Sequence, residues 1–221
     1  MSWIGRRRRL LPVVVIKTID VPWVRQEAAH LCGPAVAQMI LGATSRSRSR
    51  RFDLTQEALW SDIKAATRGR RPTGRTAGCS EAFPNQKCER CVEPRTPVCW
   101  CSTPQALARV INTRLGSRAY RVRALYGSEM LMRHIVDSVD RRRPAAVLVR
   151  GFQHWVVLYG YRETASATHK VGRRSLSGFY VLDPQQERRS PIFVSCDTWF
   201  DEYLRVVPCG MFRDRRVALV G

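Results

Sequence analysis

Lysine is scarce in this chain. Lys17, Lys64, Lys87 and Lys170 are the only four, so a formal net charge of +20 over 221 residues rests almost wholly on arginine. No apolar run approaches the roughly eighteen residues of a membrane-spanning helix, which removes a transmembrane segment from the reading. No glycine-rich phosphate loop occurs either, and with it goes the usual mark of nucleotide chemistry. The arginines come without a zinc-finger or helix-turn-helix pattern, and no aromatic side chains interleave them as a base-stacking platform requires. Of the four histidines, His30, His134 and His169 lack carboxylates at metal-ligand spacing and read as structural or surface residues, so no cofactor is expected from them. Arg6 to Arg9 followed by Leu10 to Ile16 imitates a signal peptide, but the apolar core is short, has no small-residue cleavage site and runs into Lys17 and Asp20. The expectation is cytoplasmic synthesis without a Sec signal, with export by a dedicated secretion system as a route that leaves no sequence mark.

What is present supports a globular protein. Apolar residues make up 44% of the chain, and the length suits one domain over residues 1–221. The arginine clusters, among them the serine and arginine run from Ser45 to Arg51 and Arg141 to Arg143, read as solvated surface. Such charge draws nucleic acid, an anionic membrane or an acidic protein alike and specifies none of them. The eight cysteines are many for a reducing compartment, and five of them fall between Cys79 and Cys101 in a proline-rich insertion over about 69–101. Cys88 and Cys91 form a CxxC that Cys99 and Cys101 would complete as a four-thiolate structural zinc site. In an oxidising compartment the same cysteines, set among Gly78, Pro84, Pro94 and Pro97, read equally well as a disulfide-stapled loop.

The chemistry lies elsewhere, in three short stretches. The first runs from Gln26 through Cys32-Gly33-Pro34-Ala35; the second is His154 to Tyr161; the third is Phe179 to Pro184. Cysteine attacks carbonyls as a thiolate, and a helix N-terminus favours the negative charge that a thiolate carries. Pro34 reads as the first residue of such a helix and Ala35 to Leu41 as its continuation, which sets Cys32 at the helix start. His154 opens a β-branched and aromatic run that reads as a buried strand, and a base at a strand start is rigidly held. Phe179 to Leu182 reads as a second strand, ended by Asp183-Pro184. Paired as a hairpin around a polar loop from Arg162 to Gly178, these strands bring Asp183 to the imidazole of His154, with Asp197, Asp201 and Gln153 as other candidates for the third role. Gln26, six residues before Cys32, can return its amide to the carbonyl site and share an oxyanion with the Cys32 N–H.

The remaining elements follow from periodicity and caps. Leu11 to Ile16 reads as a first strand. A helix running through Ala66 is capped by Asp53 with Gln56 at the capping-box position, and a helix opened by Pro104 behind Ser102 or Thr103 ends at Gly116. Further on come a strand over Tyr120 to Tyr126, a helix capped by Ser128 that ends near Val139, a strand over Ala145 to Val149, a short helix over Thr198 to Leu204 and a last strand over Val217 to Val220. Helices first and strands later give an α+β fold, with Cys32 on a helical lobe and His154 and Asp183 on an antiparallel sheet lobe.

The order of Gln26, Cys32 at a helix start, His154 at a strand start and Asp183 resembles the papain-like cysteine peptidase superfamily. Cys-Gly-Pro-Ala with Asp-Pro resembles its bacterial double-glycine, or bacteriocin-processing, peptidase branch. That likeness implies a papain-like two-lobed fold and a peptidase acting on a protein or peptide, with Cys32 as nucleophile, His154 as general base, Asp183 as orienter and Gln26 in the oxyanion hole. It also raises a toxin or effector setting by analogy. The same thiol suits acyl transfer or glutamine deamidation, which diverge from hydrolysis only at the second nucleophile. A reading of another class is an inactive peptidase fold that binds nucleic acid or membrane through its arginines.

Overall fold

The computed structural model describes residues 13–44, 54–68, 102–150, 154–188, 192–206 and 214–221. Asp53, the serine and arginine run, the insertion with Cys79, Cys88, Cys91, Cys99 and Cys101, Gln153 and Cys209 lie outside the described residues. A strand β1 (Val14–Thr18) leads into three helices, α1 (Cys32–Thr44), α2 (Gln56–Arg68) and α3 (Pro104–Leu115). Then come β2 (Arg121–Leu125), α4 (Ser128–Asp140), β3 (Ala145–Val149), β4 (His154–Thr164), β5 (His169–Val171), β6 (Arg174–Leu182) and β7 (Ile192–Ser195). A short helical turn (Cys196–Thr198), a π-helical turn (Trp199–Tyr203) and β8 (Arg216–Val220) close the chain.

Among the described residues the eight strands make one antiparallel sheet in the order β2-β8-β3-β4-β6-β5, with β1 also on β4 and β7 on β6. The hairpin of β3 and β4 sets Val149 opposite His154, and β4 pairs with β6 so that Val157 faces Leu182. All five residues of β3 are buried, because both faces of the sheet are covered. Ala146 and Leu148 point into a core shared with α1, α2 and α3, while Ala145, Val147 and Val149 point into one shared with α4. This is the alternation that a pleated strand imposes, with each face given its own apolar layer.

The fold is α+β, with the sheet of the expected three strands embedded in a larger one. It differs from expectation in two respects that have physical causes. The segment from Arg162 to Gly178 is mostly strand: β4 continues to Thr164, β6 begins at Arg174, and β5 folds back on β6 through a turn with Gly172 at φ 62°. Val171 and Leu176 are buried there, and two buried apolar positions suffice to anchor the polar hairpin. In addition, α4 lies on the face opposite the other helices, so the sheet is sandwiched.

The cap of α3 agrees with expectation, and those of α2 and α4 differ. Thr103, in extended backbone, accepts from the Ala106 N–H at 3.2 Å, and Gly116 closes α3 in the left-handed conformation at φ 64°. Ser128, expected as a cap, is instead the first residue of α4 after Gly127, which makes no side-chain cap bond. At α2 the cap is Thr55, whose Oγ1 accepts from the Ala58 N–H at 3.2 Å, and Gln56 turns elsewhere.

Candidate active site

Cys32 is the first residue of α1. The Ala35 N–H donates to the Leu31 carbonyl at 2.9 Å, which makes Leu31 the cap and places Pro34 third in the helix, two positions later than expected. Proline is tolerated there because the first four N–H groups of a helix have no partner within it. The shift favours the thiolate: Cys32 lies within the first turn, where the donors point out of the helix end and the macrodipole is positive. Its residue is 4% exposed. Cys196, the other described thiol, is as buried, but it donates to the Leu176 carbonyl at 3.2 Å and burial, with the Asp197 charge, pushes its pKa up to about 12. Cys196 also opens a short helical turn, but its hydrogen is held by the Leu176 carbonyl and burial keeps it a thiol, so the two buried sulfurs differ in surroundings rather than in exposure.

His154 is the first residue of β4, and Asp183 follows directly on the last residue of β6. Their side chains meet at 2.6 Å between Nε2 and Oδ1, with the two residues 6% and 5% exposed. Oδ1 also accepts from the Gln185 N–H at 2.8 Å. Burial pushes the Asp183 carboxyl up, but the hydrogen bond and charge of His154, the Gln185 N–H and the nearby Arg150 guanidinium together hold it below the usual carboxylate range. Of the other carboxylates considered, Asp197 pairs instead with His169 at 2.7 Å, and Asp201 sits exposed in the π-helical turn.

A depressed folded-state pKa contributes stability that is present above the unfolded carboxylate value, about 3.9, and lost as pH falls through the folded one. Asp183→Asn cannot titrate. The gap in melting temperature between wild type and Asp183→Asn is therefore expected to be widest at neutral pH and to narrow below about pH 4. Thermal denaturation at a series of pH values reads it directly, and a gap independent of pH contradicts the ion pair.

Two contacts that the sequence did not announce tie the thiol's helix to the imidazole's strand. A Cβ at Gly33 would overlap the side chain of Ser102, coming 2.5 Å from its Cβ, so only glycine permits that approach. Trp155 Nε1 in turn donates to the Ser102 carbonyl at 3.1 Å. Ser102 is thereby wedged between the residue after Cys32 and the residue after His154. Gly33→Ala overpacks this wedge and is expected to cost about 1–3 kcal/mol, or several degrees of melting temperature in a chain of this size. An unchanged melting temperature would mean that the wedge yields freely.

Gln26 lies on the approach loop from Ile19 to Leu31, and that loop is stitched to the Asp183 turn. The Gln26 N–H donates to the Pro184 carbonyl at 2.8 Å, and Trp23 Nε1 donates to the Asp183 carbonyl at 3.3 Å. The side-chain Nε2 donates to the Ala28 carbonyl at 3.1 Å, and Oε1 is buried with no hydrogen-bond partner among the described residues. Among the described residues no three histidine, cysteine or carboxylate side chains gather as a metal site, and no helix is long and apolar enough to cross a membrane.

Residues 18–199 match the Peptidase C39-like family, a span that takes in Gln26, Cys32, His154 and Asp183. The chain belongs to the Peptidase C39-like family. The resemblance to the bacteriocin-processing branch therefore holds. One solved structure similar to this Peptidase C39-like chain is a double glycine motif protease from an AMS/PCAT transporter in complex with the leader peptide. It is 12% identical, with 96% of this chain and 97% of that chain covered and a TM-score of 0.45. No curated protein matches the sequence.

Proposed function

We propose that this member of the Peptidase C39-like family is a cysteine peptidase that hydrolyses a peptide bond through an acyl-enzyme. The observation that carries the reading is the buried bond between His154 Nε2 and Asp183 Oδ1, which spends one ring nitrogen on orientation and leaves Nδ1 for proton transfer.

In this mechanism Cys32 Sγ bonds to the carbonyl carbon as its proton passes to His154 Nδ1. The charge that gathers on the carbonyl oxygen is met by the Cys32 N–H at the helix end and by Gln26 Nε2, whose second hydrogen is not needed by the Ala28 carbonyl. The C–N bond breaks, His154 returns the proton to the leaving amine, and a thioester remains on Cys32. Water, deprotonated by His154, then cleaves the C–S bond and restores the thiol. Asp183 stays ionised throughout and stabilises the imidazolium. Tying the Gln26 loop to Asp183-Pro184 keeps oxyanion donor and orienter in one rigid unit, which favourable positioning requires.

The test is product analysis on a peptide library by mass spectrometry, with wild type and Cys32→Ala side by side. Hydrolysis yields a new amine terminus and a new carboxylate in the wild-type digest alone. A gain of mass on an added amine acceptor, or a change of about one mass unit at glutamine without cleavage, would replace hydrolysis by transfer or deamidation on the same thiol. Identical digests from both proteins would dismiss an enzymatic role for Cys32.

A further inference from the structure

We infer that Gln56 is a positioning residue for Gln26, acting through the backbone on either side of it. The inference rests on the peptidase reading above and extends it to a side chain remote in sequence.

Gln56 is polar yet only 1% exposed, and both ends of its amide are committed. Its Nε2 donates to the Arg25 carbonyl at 2.6 Å, and its Oε1 accepts from the Glu27 N–H at 3.0 Å. Those are the backbone groups just before and just after Gln26. The peptide unit joining Arg25 to Gln26 is thus held at its carbonyl by Gln56 and at its N–H by the Pro184 carbonyl, 2.8 Å away. The next unit, joining Gln26 to Glu27, is held at its N–H by the same glutamine. With both flanking peptide planes pinned, φ and ψ of Gln26 are set, and so is the direction of its Cα–Cβ bond. One amide on α2 makes to this loop the two bonds that an adjoining antiparallel strand would make to the carbonyl before and the N–H after a residue.

The chemistry demands glutamine at position 56. Glutamate keeps the bond to Glu27 but has no donor for the Arg25 carbonyl when ionised, and asparagine is one methylene too short to reach both groups. A purely structural cap at the start of α2 does not need either bond, because Thr55 already serves there. The Arg25 and Glu27 side chains are exposed, so they supply no buried anchor of their own.

The experiment compares peptide hydrolysis with alkylation of Cys32 by chloroacetamide in the full chain. Alkylation needs the thiolate but passes through no oxyanion, so it reports on Cys32 and His154 and is blind to Gln26. Gln56→Met is expected to lower kcat by about 10- to 100-fold, as small misplacements of positioned groups do, with the alkylation rate within about twofold of wild type. Combined with Gln26→Ala, it should add little further loss, since a group that acts through Gln26 has nothing left to position. Full multiplication of the two losses, or alkylation falling in step with kcat, overturns the inference while leaving the peptidase reading intact. A wild-type chain with no Cys32-dependent turnover overturns both. If Gln56→Met does not fold, Gln56→Glu, which loses only the bond to Arg25, is read in the same way.

Discussion

Cys32→Ala is expected to reduce peptide hydrolysis by at least about four orders of magnitude, because in the proposed mechanism the sulfur is the atom that bonds to the substrate. A loss of that size is about 5.5 kcal/mol of transition-state stabilisation. The fold should hardly register the change, since trimming one sulfur from a small buried side chain costs on the order of 1 kcal/mol. The variant therefore separates chemistry from stability: its melting temperature stays within a few degrees while its rate collapses. Cys196→Ala is the matched control. It removes an equally buried thiol, whose hydrogen goes to the Leu176 carbonyl, and it should leave turnover unchanged. Turnover by Cys32→Ala within tenfold of wild type, measured on the same peptide, would refute the nucleophile assignment.

The contrast between these two cysteines also explains what the sequence could disclose. Cys32 was legible because a Cys-Gly-Pro-Ala turn before a run of helix formers marks the start of a long helix, one of the settings that favour a thiolate. Cys196 carries no such mark: it opens a turn of three residues just after β7, and its burial against the Leu176 carbonyl of β6 is a tertiary contact. The three apolar runs that became β3, β4 and β6 were legible because buried strands need continuous apolar residues, and Asp183-Pro184 was legible as their stop.

The parts that escaped depend on groups distant in sequence. Pro34 marks the first turn of a helix but does not say which of its positions it takes, since several N–H groups there lack partners, so α1 begins two residues before the expected place. Gln56 fits a capping box by spacing, yet Thr55 takes the cap and the glutamine instead spans to residues 25 and 27. Local pattern cannot register a bond across 31 positions. The wedge of Ser102 against Gly33 and Trp155 escaped for the same reason, although an unexplained glycine beside a nucleophile is the signal that would have pointed to it.

His154→Ala is the second large effect, and it acts on rate and stability together. Turnover should fall by about four orders of magnitude or more, since in the proposed mechanism His154 takes and returns the proton. Alkylation of Cys32 should slow at neutral pH, because no imidazole remains to take up the thiol's proton. The fold also suffers, for a reason that alanine at position 32 does not share. Asp183 is 5% exposed and loses its 2.6 Å partner, keeping the Gln185 N–H and the more distant charge of Arg150. A buried charge stripped of its partner costs about 3–5 kcal/mol. Removing the carboxylate as well should recover part of that loss, so His154→Ala with Asp183→Ala is expected to melt above His154→Ala alone while remaining equally inactive. Such a recovery is the double-mutant coupling expected of two residues in contact. If the double variant instead melts lower by the sum of the two single losses, histidine and aspartate do not form the pair on which the orientation of the base depends.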